Sequence, residues 1–381
     1  MNSFVINNVK VVTPYEVLEN GFIYIKKGII DVIEPSSRQK LHRSCSVIDG
    51  RDKWLFPGMV DMFSTALERE IDPGDNLPLP LETAFEALDN KLVSNGITTV
   101  YHTFSSGAGN AGMLSLEGTS REETRFSRLK KNSSIRHCIH VLHNINDDIS
   151  FPLLEKLIAA RELQLISIMA PDSACGSSPD RRRQKNELLR ISDFIDLVAE
   201  KARKYEIRIA AFGESSYSRI NYMKKLGIKI LEFPQVSEEA DSAQSGMSVL
   251  VGAPDIVRSI FNEKKSDVTD AVINGSAQML CSENSPASLI NAVFLLYHTY
   301  NMDMAEAFRK VSINPASALG IGRRLGSIEC GKLADLVLVR ESNGKPFIEK
   351  VFINGFKVYE KETQLNKKVG HARIAQWEQQ Y

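Results

Sequence analysis

Histidines and carboxylates stand at or just after the ends of several short apolar segments of this 381-residue chain: His102, His140, Asp172, Glu214 and Glu283. Imidazole nitrogens and carboxylate oxygens bind divalent metals, and the same groups act as general acids and bases. A site for a single divalent ion could be formed by His102, His140, Glu214 and Glu283. The chemistry to test is therefore metal binding or proton transfer at one edge of a sheet.

Side-chain alternation limits which of these groups can share an ion. Successive residues of a strand face opposite sides, so Cys138 and His140 lie on one face of the segment 135–142, and His137 and Ile139 on the other. His137 and His140 therefore cannot both bind one ion. The alternative for His140 is an imidazole whose nitrogens bond to a neighbouring carbonyl or carboxylate.

Short apolar segments alternate with longer amphipathic ones from Gly58 onward, which predicts βαβ crossovers and a parallel sheet. Eight strands are predicted, enough to close a barrel: Gly58–Met62, Thr98–Thr103, Ile135–Leu142, Leu165–Met169, Arg208–Phe212, Lys229–Phe233, Met247–Gly252 and Ala277–Cys281. Helices are predicted over Glu82–Asn95, Pro152–Glu162, Glu187–Tyr205, Ser215–Leu226 and Pro286–Tyr300. The fold class is α/β, a TIM-type (β/α)8 barrel over residues 57–320.

Both chain ends carry strand and turn patterns rather than crossovers. Asn354-Gly355, between two apolar segments, predicts a two-residue hairpin. Because these ends bracket one barrel, we expect residues 1–56 and 321–365 to pair as a small β-sandwich domain. Residues 366–381 form a polar C-terminal tail.

Charge and composition exclude several classes of protein. Lys plus Arg and Asp plus Glu both number 47, so no net basic field favours nucleic acid or an anionic membrane. No leader or membrane-spanning apolar segment is present, which predicts a cytoplasmic protein. Five scattered cysteines without CxxC spacing argue against a disulfide framework. The expected partner is a small-molecule substrate, and a homo-oligomer is left open.

Two landmarks resemble the amidohydrolase superfamily and frame nearly the whole chain: the first-strand segment Pro57–Met62, and the return to the β-domain at Asn314–Gly320 and Gly331–Val337. Within that superfamily the chain is most similar to the α-D-ribose 1-methylphosphonate 5-triphosphate diphosphatases. Five stretches carry this likeness: Leu67–Arg69, Asn95–Val100, Glu232–Pro234, Gly252–Arg258 and Ser282–Leu289.

The resemblance implies metal ligands at the carboxyl ends of the strands, where active sites of these barrels lie. At the two first-strand ligand positions this chain has Phe63 and Thr65. The family's Asp-His-Thr after strand four is replaced by Ala170–Asp172, and its Ser-His-Asp-Asp after strand five by Ala211–Glu214. A phenyl ring cannot bind a dication and a neutral hydroxyl binds one poorly, so the family's centre is expected to be largely lost.

The remaining polar residues receive their roles from the same resemblance. Glu283 occupies the strand-eight position of the family's ligand and general base, and Glu214 is the second catalytic candidate. Substrate-binding candidates are Glu68, Arg258 and Asp172; Arg258 could clamp phosphate oxygens. The alternative for each is an ion pair without a functional role. Arg181–Arg183, expected in the loop after strand four, is either a polyphosphate-binding patch or a solvated loop.

Two functions remain open. One is an atypical hydrolase of a small phosphorylated or polar substrate, related to phosphonate-metabolism hydrolases, with Glu283 activating water. The other is a catalytically degraded paralogue that acts as a non-catalytic binding or assembly partner of an active hydrolase, with a pocket narrowed by Phe63 and Phe212. Whether the chain is an enzyme is left open. If a metal is bound, it is one Zn²⁺ or Mn²⁺ held by His140, Glu283 and His102; the absence of a metal is the other expectation.

Overall fold

Sixteen strands lie in the residues that the computed structural model describes, which are 3–36, 45–74, 77–105, 129–145, 147, 151–159, 161–169, 181–214, 217–234, 246–261 and 266–361. In chain order they are β1 (Phe4–Val12), β2 (Val17–Lys26), β3 (Ile29–Pro35), β4 (Ser46–Asp49), β5 (Lys53–Pro57), β6 (Met59–Ser64), β7 (Ile97–Ser105), β8 (Arg136–Asn144), β9 (Leu163–Met169), β10 (Arg208–Phe212), β11 (Ile230–Glu232), β12 (Ser248–Gly252), β13 (Met279–Cys281), β14 (Leu336–Ser342), β15 (Lys345–Ile353) and β16 (Phe356–Glu360).

The α-helices of the described residues connect and cover the barrel strands. They are α1 (Ala66–Ile71), α2 (Leu81–Ser94), α3 (Phe151–Ala159), α4 (Arg181–Lys204), α5 (Tyr217–Lys225), α6 (Ala253–Arg258), α7 (Asp267–Ile273), α8 (Ala287–His298), α9 (Met304–Arg309) and α10 (Ile313–Ala318). Short 3₁₀ helices span Lys130–Asn132 and Ser259–Phe261. Among the described residues, every helix is too short or too polar to span a lipid bilayer.

Strands β6 to β13 form one parallel sheet in chain order, which confirms the eight predicted barrel strands. The two edges meet through a parallel bridge between Ser64 and Glu283 and a 2.8 Å hydrogen bond from the Thr65 amide to the Glu283 carbonyl. All residues of β6, β11 and β13 are buried. Such strands pack on the barrel interior with one face and on helices with the other, so they read as continuous apolar runs.

Both chain ends contribute to a second, mixed sheet, as predicted. Its order is β16-β15-β14-β5-β1-β2-β3, with β4 also on β1, and the two chain ends join where β5 pairs antiparallel with β14. The rings of Phe4 and Phe352 stack at 4.9 Å although their strands are three places apart. A flat sheet would separate them by roughly 14 Å, so this sheet folds onto itself around an apolar core, like a small sandwich.

An ion pair between Arg136 and Asp335 links this folded sheet to the barrel. Arg136, the first residue of β8, forms a two-pronged ion pair with the buried carboxylate of Asp335. Its Nη2 also donates to the Asn354 side chain over 2.7 Å, and the Asn354 amide donates to Asp335 over 2.9 Å. Asn354 and Gly355 have φ values of 50° and 72°, as the predicted hairpin requires.

Helix α4 begins six residues before its predicted start at Glu187. Arg181–Arg183 are therefore part of this helix rather than of the preceding loop, and of these three residues only the backbone is described. Asp172 and the tail 366–381 lie outside the described residues.

Candidate site at the carboxyl end of the barrel

Three phenylalanine rings pack together at the carboxyl ends of β6, β10 and β11. Phe63 stacks on Phe212 at 5.8 Å and meets the edge of Phe233 at 5.0 Å, and Phe212 and Phe233 are 5.5 Å apart. Phe63 is 7% exposed and belongs to the apolar cluster that fills the barrel interior. This phenylalanine cluster fills the centre of the barrel mouth with apolar surface.

His140 lies directly beneath this cluster and is completely buried. Its ring contacts Phe63 edge-on at 5.4 Å. Nδ1 lies 2.9 Å from the Thr103 hydroxyl, and Nε2 lies 2.6 Å from the Ser167 hydroxyl. Both ring nitrogens are thus occupied by hydroxyls, and burial lowers the His140 pKa to about 3. His140 is a neutral imidazole near pH 7.

Glu232 completes this buried polar chain, and sequence reasoning did not select it as a site residue. The Ser167 hydroxyl donates to Glu232 Oε2 over 2.6 Å, and Oε1 lies 3.9 Å from His140 Nε2. Among the described residues Oε1 has no hydrogen-bond partner. Burial raises the Glu232 pKa to about 8. The available signal was a glutamate as the last residue but one of the predicted strand Lys229–Phe233.

His102, a candidate metal ligand, does not join His140. Thr103 contacts His140, and because neighbours in a strand face opposite sides, His102 points outward to the helix layer. There His102 Nε2 lies 2.7 Å from His137 Nδ1, and His137 Nε2 lies 2.9 Å from Asp89 on α2. The ligand set of His102, His140 and Glu283 is therefore not assembled.

Glu283 follows β13 at the barrel mouth with a φ of 54°, a conformation that few non-glycine residues adopt. Its half-buried carboxylate lies so close to Gly252 that any Cβ there would overlap it. Burial raises the Glu283 pKa; Asp255 adds to this effect, and Arg258 opposes it. A strained residue with a raised pKa is a recognised mark of a functional position.

Asp61 on β6 and Ser282, the residue after β13, form hydrogen bonds that join the two edge strands of the barrel next to Glu283. The Asp61 carboxylate accepts a 3.0 Å bond from the Ser282 amide and a 2.5 Å bond from its hydroxyl. Both residues are completely buried. Burial raises the Asp61 pKa to about 7 even though Ser282 stabilises its charge. This carboxylate holds the barrel closed rather than facing the mouth.

Glu214, the second catalytic candidate, is engaged elsewhere. It is 3% exposed and forms a 2.8 Å ion pair with Nε of Arg219 on α5, which is itself 9% exposed. The structure therefore gives Glu214 a positioning contact between the end of β10 and the following helix.

The substrate-binding candidates differ in their surroundings. Glu68 on α1 is half-buried, and burial raises its pKa. Arg258 ends α6 with an exposed guanidinium 3.4 Å from Asp255. Arg258 and Glu283 are close enough for Arg258 to lower the Glu283 pKa. Glu283 and Arg258 thus form one charged edge of the mouth, beside the phenylalanine cluster.

Among the described residues, the donor groups of the mouth are not arranged like the metal centre that the resemblance implies. Within the described ranges, no three His, Cys, Asp or Glu side chains are grouped so that they could hold an ion. Phe63 and Phe212 place phenyl rings at two positions where the resemblance puts metal ligands. The ring nitrogens of His140 are hydrogen-bonded to Thr103 and Ser167. A divalent ion needs three or four lone-pair donors converging within about 2 to 2.6 Å.

Comparisons with known proteins agree with the fold. The model of the amidohydrolase family matches residues 55–358. A curated relative, α-D-ribose 1-methylphosphonate 5-triphosphate diphosphatase of Escherichia coli K12, is 27% identical over 93% of this chain and 100% of its own length. The imidazolonepropionase of Pseudoalteromonas atlantica is 41% identical over 15% of this chain and 16% of its own length.

Solved structures share the same architecture. N-acetylglucosamine-6-phosphate deacetylase from Pasteurella multocida superposes with a TM-score of 0.69 at 14% identity, covering 94% of this chain and 100% of that one. Dihydropyrimidinase from Brevibacillus agri gives a TM-score of 0.65 at 13% identity, with 94% and 95% covered. At such low identity these matches establish the fold alone.

Proposed function

Because the chain belongs to the amidohydrolase family, we propose that it is an atypical member whose barrel mouth binds a small phosphorylated or polar molecule without the family's metal centre. One observation carries the proposal. The rings of Phe63 and Phe212, which stand where the family resemblance puts metal donors, pack with each other and with Phe233 at 5.0 to 5.8 Å. Within the described part of the chain, no group of three His, Cys, Asp or Glu side chains converges there to bind a dication.

The ligand class rests on the charged edge of the mouth. The exposed guanidinium of Arg258 can bind two phosphate oxygens at once. The Escherichia coli relative, whose name gives a triphosphate as its substrate, aligns with 93% of this chain. Glu283 lies at the same edge, and its carboxylate could accept a hydrogen bond from a hydroxyl or amine of the ligand.

Metal analysis of the full-length chain tests this proposal directly. The protein is purified without chelator and its metal content is measured by mass spectrometry, before and after incubation with Zn²⁺ or Mn²⁺. We expect far less than one ion per chain in both samples, and no diphosphate release from α-D-ribose 1-methylphosphonate 5-triphosphate. One tightly held ion per chain, or metal-dependent diphosphate release, would refute the proposal.

A metal-independent hydrolase is the second candidate, and the geometry of Glu283 favours it. The positive φ and the raised pKa suit a general base. Glu283 would take one proton from water while the water oxygen attacks the electrophilic centre of the substrate. The bond from that centre to the leaving group breaks, and the leaving group receives the proton that Glu283 holds, which restores the carboxylate. Turnover that persists in EDTA and falls by about 100-fold or more in Glu283→Gln would support this function. Equal turnover in both proteins would eliminate it.

A further inference from the structure

A cavity opens on the face of the barrel opposite the mouth, where the strands begin. It has a volume of about 760 Å³ and is bounded by the first residues of β10 and β12, by residues just before β11 and β13, and by helices α4 and α10. Pockets that bind small molecules measure roughly 300 to 1,000 Å³. The cavity is large enough for a metabolite and is separate from the phenylalanine cluster at the mouth.

The charges that line this cavity have one sign. Arg203, Arg208 and Lys229 come from three different elements, and no acidic residue lines the cavity within the described part of the chain. None of the three forms an ion pair with another described residue. The chain as a whole has a net charge of zero. Three unpaired cations around one concave surface create a local positive potential that favours an anion.

The Arg208 side chain is exposed, but its guanidinium contacts the backbone after α10. Its Nε donates to the Leu319 carbonyl over 3.4 Å, just past the end of α10. Gly320, with a φ of 78°, lies against this guanidinium, and a Cβ at Gly320 would overlap it. Position 320 therefore favours glycine, because of its positive φ and because of the close approach of Arg208. The Nη groups of Arg208 remain available to a ligand.

Apolar side chains complete the cavity wall. Ile207, Ile209, Leu226 and Ile228 line it beside the three cations. An inorganic ion would leave this apolar surface in contact with water, whereas an organic anion would cover it. The charge favours an anionic group and the apolar wall favours an organic portion. Two of the three cations are guanidinium groups, which match phosphate oxygens well, so an organic phosphate suits the cavity.

We infer that this amino-face cavity, lined by Arg203, Arg208 and Lys229, is a second binding site and takes a small organic phosphate. The site does not depend on the function proposed for the mouth, because the two lie at opposite ends of the barrel strands.

Calorimetric titration of the full-length chain with phenyl phosphate tests this inference. Phenyl phosphate carries a dianion and an apolar ring; inorganic phosphate and phenol each carry one of these features. We expect phenyl phosphate to bind more tightly than either, with an affinity that falls as salt concentration rises. Arg208→Gln and Lys229→Gln should each weaken it about tenfold. Both side chains are exposed, so the fold should be retained.

Two variants serve as controls. Lys225→Gln removes an exposed cation that does not line the cavity and should leave binding unchanged. Arg258→Gln removes the cation at the mouth and should also leave it unchanged. If Arg258→Gln weakens binding while Arg208→Gln does not, the ligand occupies the mouth and the inference fails while the proposed function gains support. Absent binding, or phenol binding as tightly as phenyl phosphate, would also overturn the inference.

Discussion

Single buried residues set how this protein should respond to pH. Glu232 and Asp61 have pKa values raised by burial, to about 8 and about 7, whereas burial lowers that of His140 to about 3. Between their unfolded and folded pKa values the two carboxyls bind more protons in the folded state, so their contribution to stability falls as pH rises. His140 binds fewer protons when folded, and its contribution rises with pH up to about 6.5.

The contribution of Glu232 can be isolated by substitution, because Asp61 and His140 should titrate alike in the wild type and in a Glu232 variant. Wild-type stability should fall between pH 7 and about 8.5 as the buried Glu232 carboxyl is forced to ionise. Glu232→Gln keeps an acceptor for Ser167 but cannot ionise, so its stability should change much less. Urea denaturation at constant ionic strength gives both curves; parallel curves would contradict this account. Glu86→Gln, at an exposed position of α2, is the control and should behave as wild type.

At the scale of elements, Glu214 connects the end of β10 to helix α5. Glu214→Ala removes the carboxylate that pairs with the buried Arg219 guanidinium, and we expect a loss of about 3 kcal/mol in the free energy of unfolding. Glu155→Ala breaks a more exposed barrel ion pair, with Lys201, and should cost less than about 1 kcal/mol. Chemical denaturation distinguishes the two. Equal costs would show that burial does not govern this pair.

The elements themselves could largely be predicted from sequence. Short apolar strands followed by amphipathic segments gave all eight barrel strands, and the superfamily likeness of Pro57–Met62 is confirmed by the family match. The Asn354-Gly355 hairpin was equally visible, because only a few residue types adopt two consecutive positive φ values.

The polar contacts were harder to predict, because period-two alternation fixes which face a residue takes but not its partner on a distant strand. Alternation separates His137 from His140. Applied to β7, it also places His102 and Thr103 on opposite faces. The Ser167–Glu232 contact joins β9 to β11 across β10, so it depends on the curvature of the closed barrel. No local pattern encodes that geometry.

At the scale of the whole molecule, the Arg136–Asp335 pair couples the barrel to the folded sheet. Asp335→Ala should lower the free energy of unfolding by about 3 kcal/mol, since it removes a buried carboxylate that holds both Arg136 and Asn354. Calorimetry should also show a wider transition, with a calorimetric enthalpy above the van't Hoff value as the two units unfold separately. Glu19→Ala, at an exposed pair with Lys10, is the control and should keep one sharp transition.

The junction of β5 with β14 has a consequence for biosynthesis. The first five strands leave the ribosome long before their C-terminal partners exist, and translation of the intervening barrel takes on the order of tens of seconds. During that interval the nascent edge of β5, with Leu55 and Phe56, has no strand to pair with on its β14 side. Folding of this sheet must therefore wait until β14 has been synthesised, and until then the β5 edge is available for pairing with other chains.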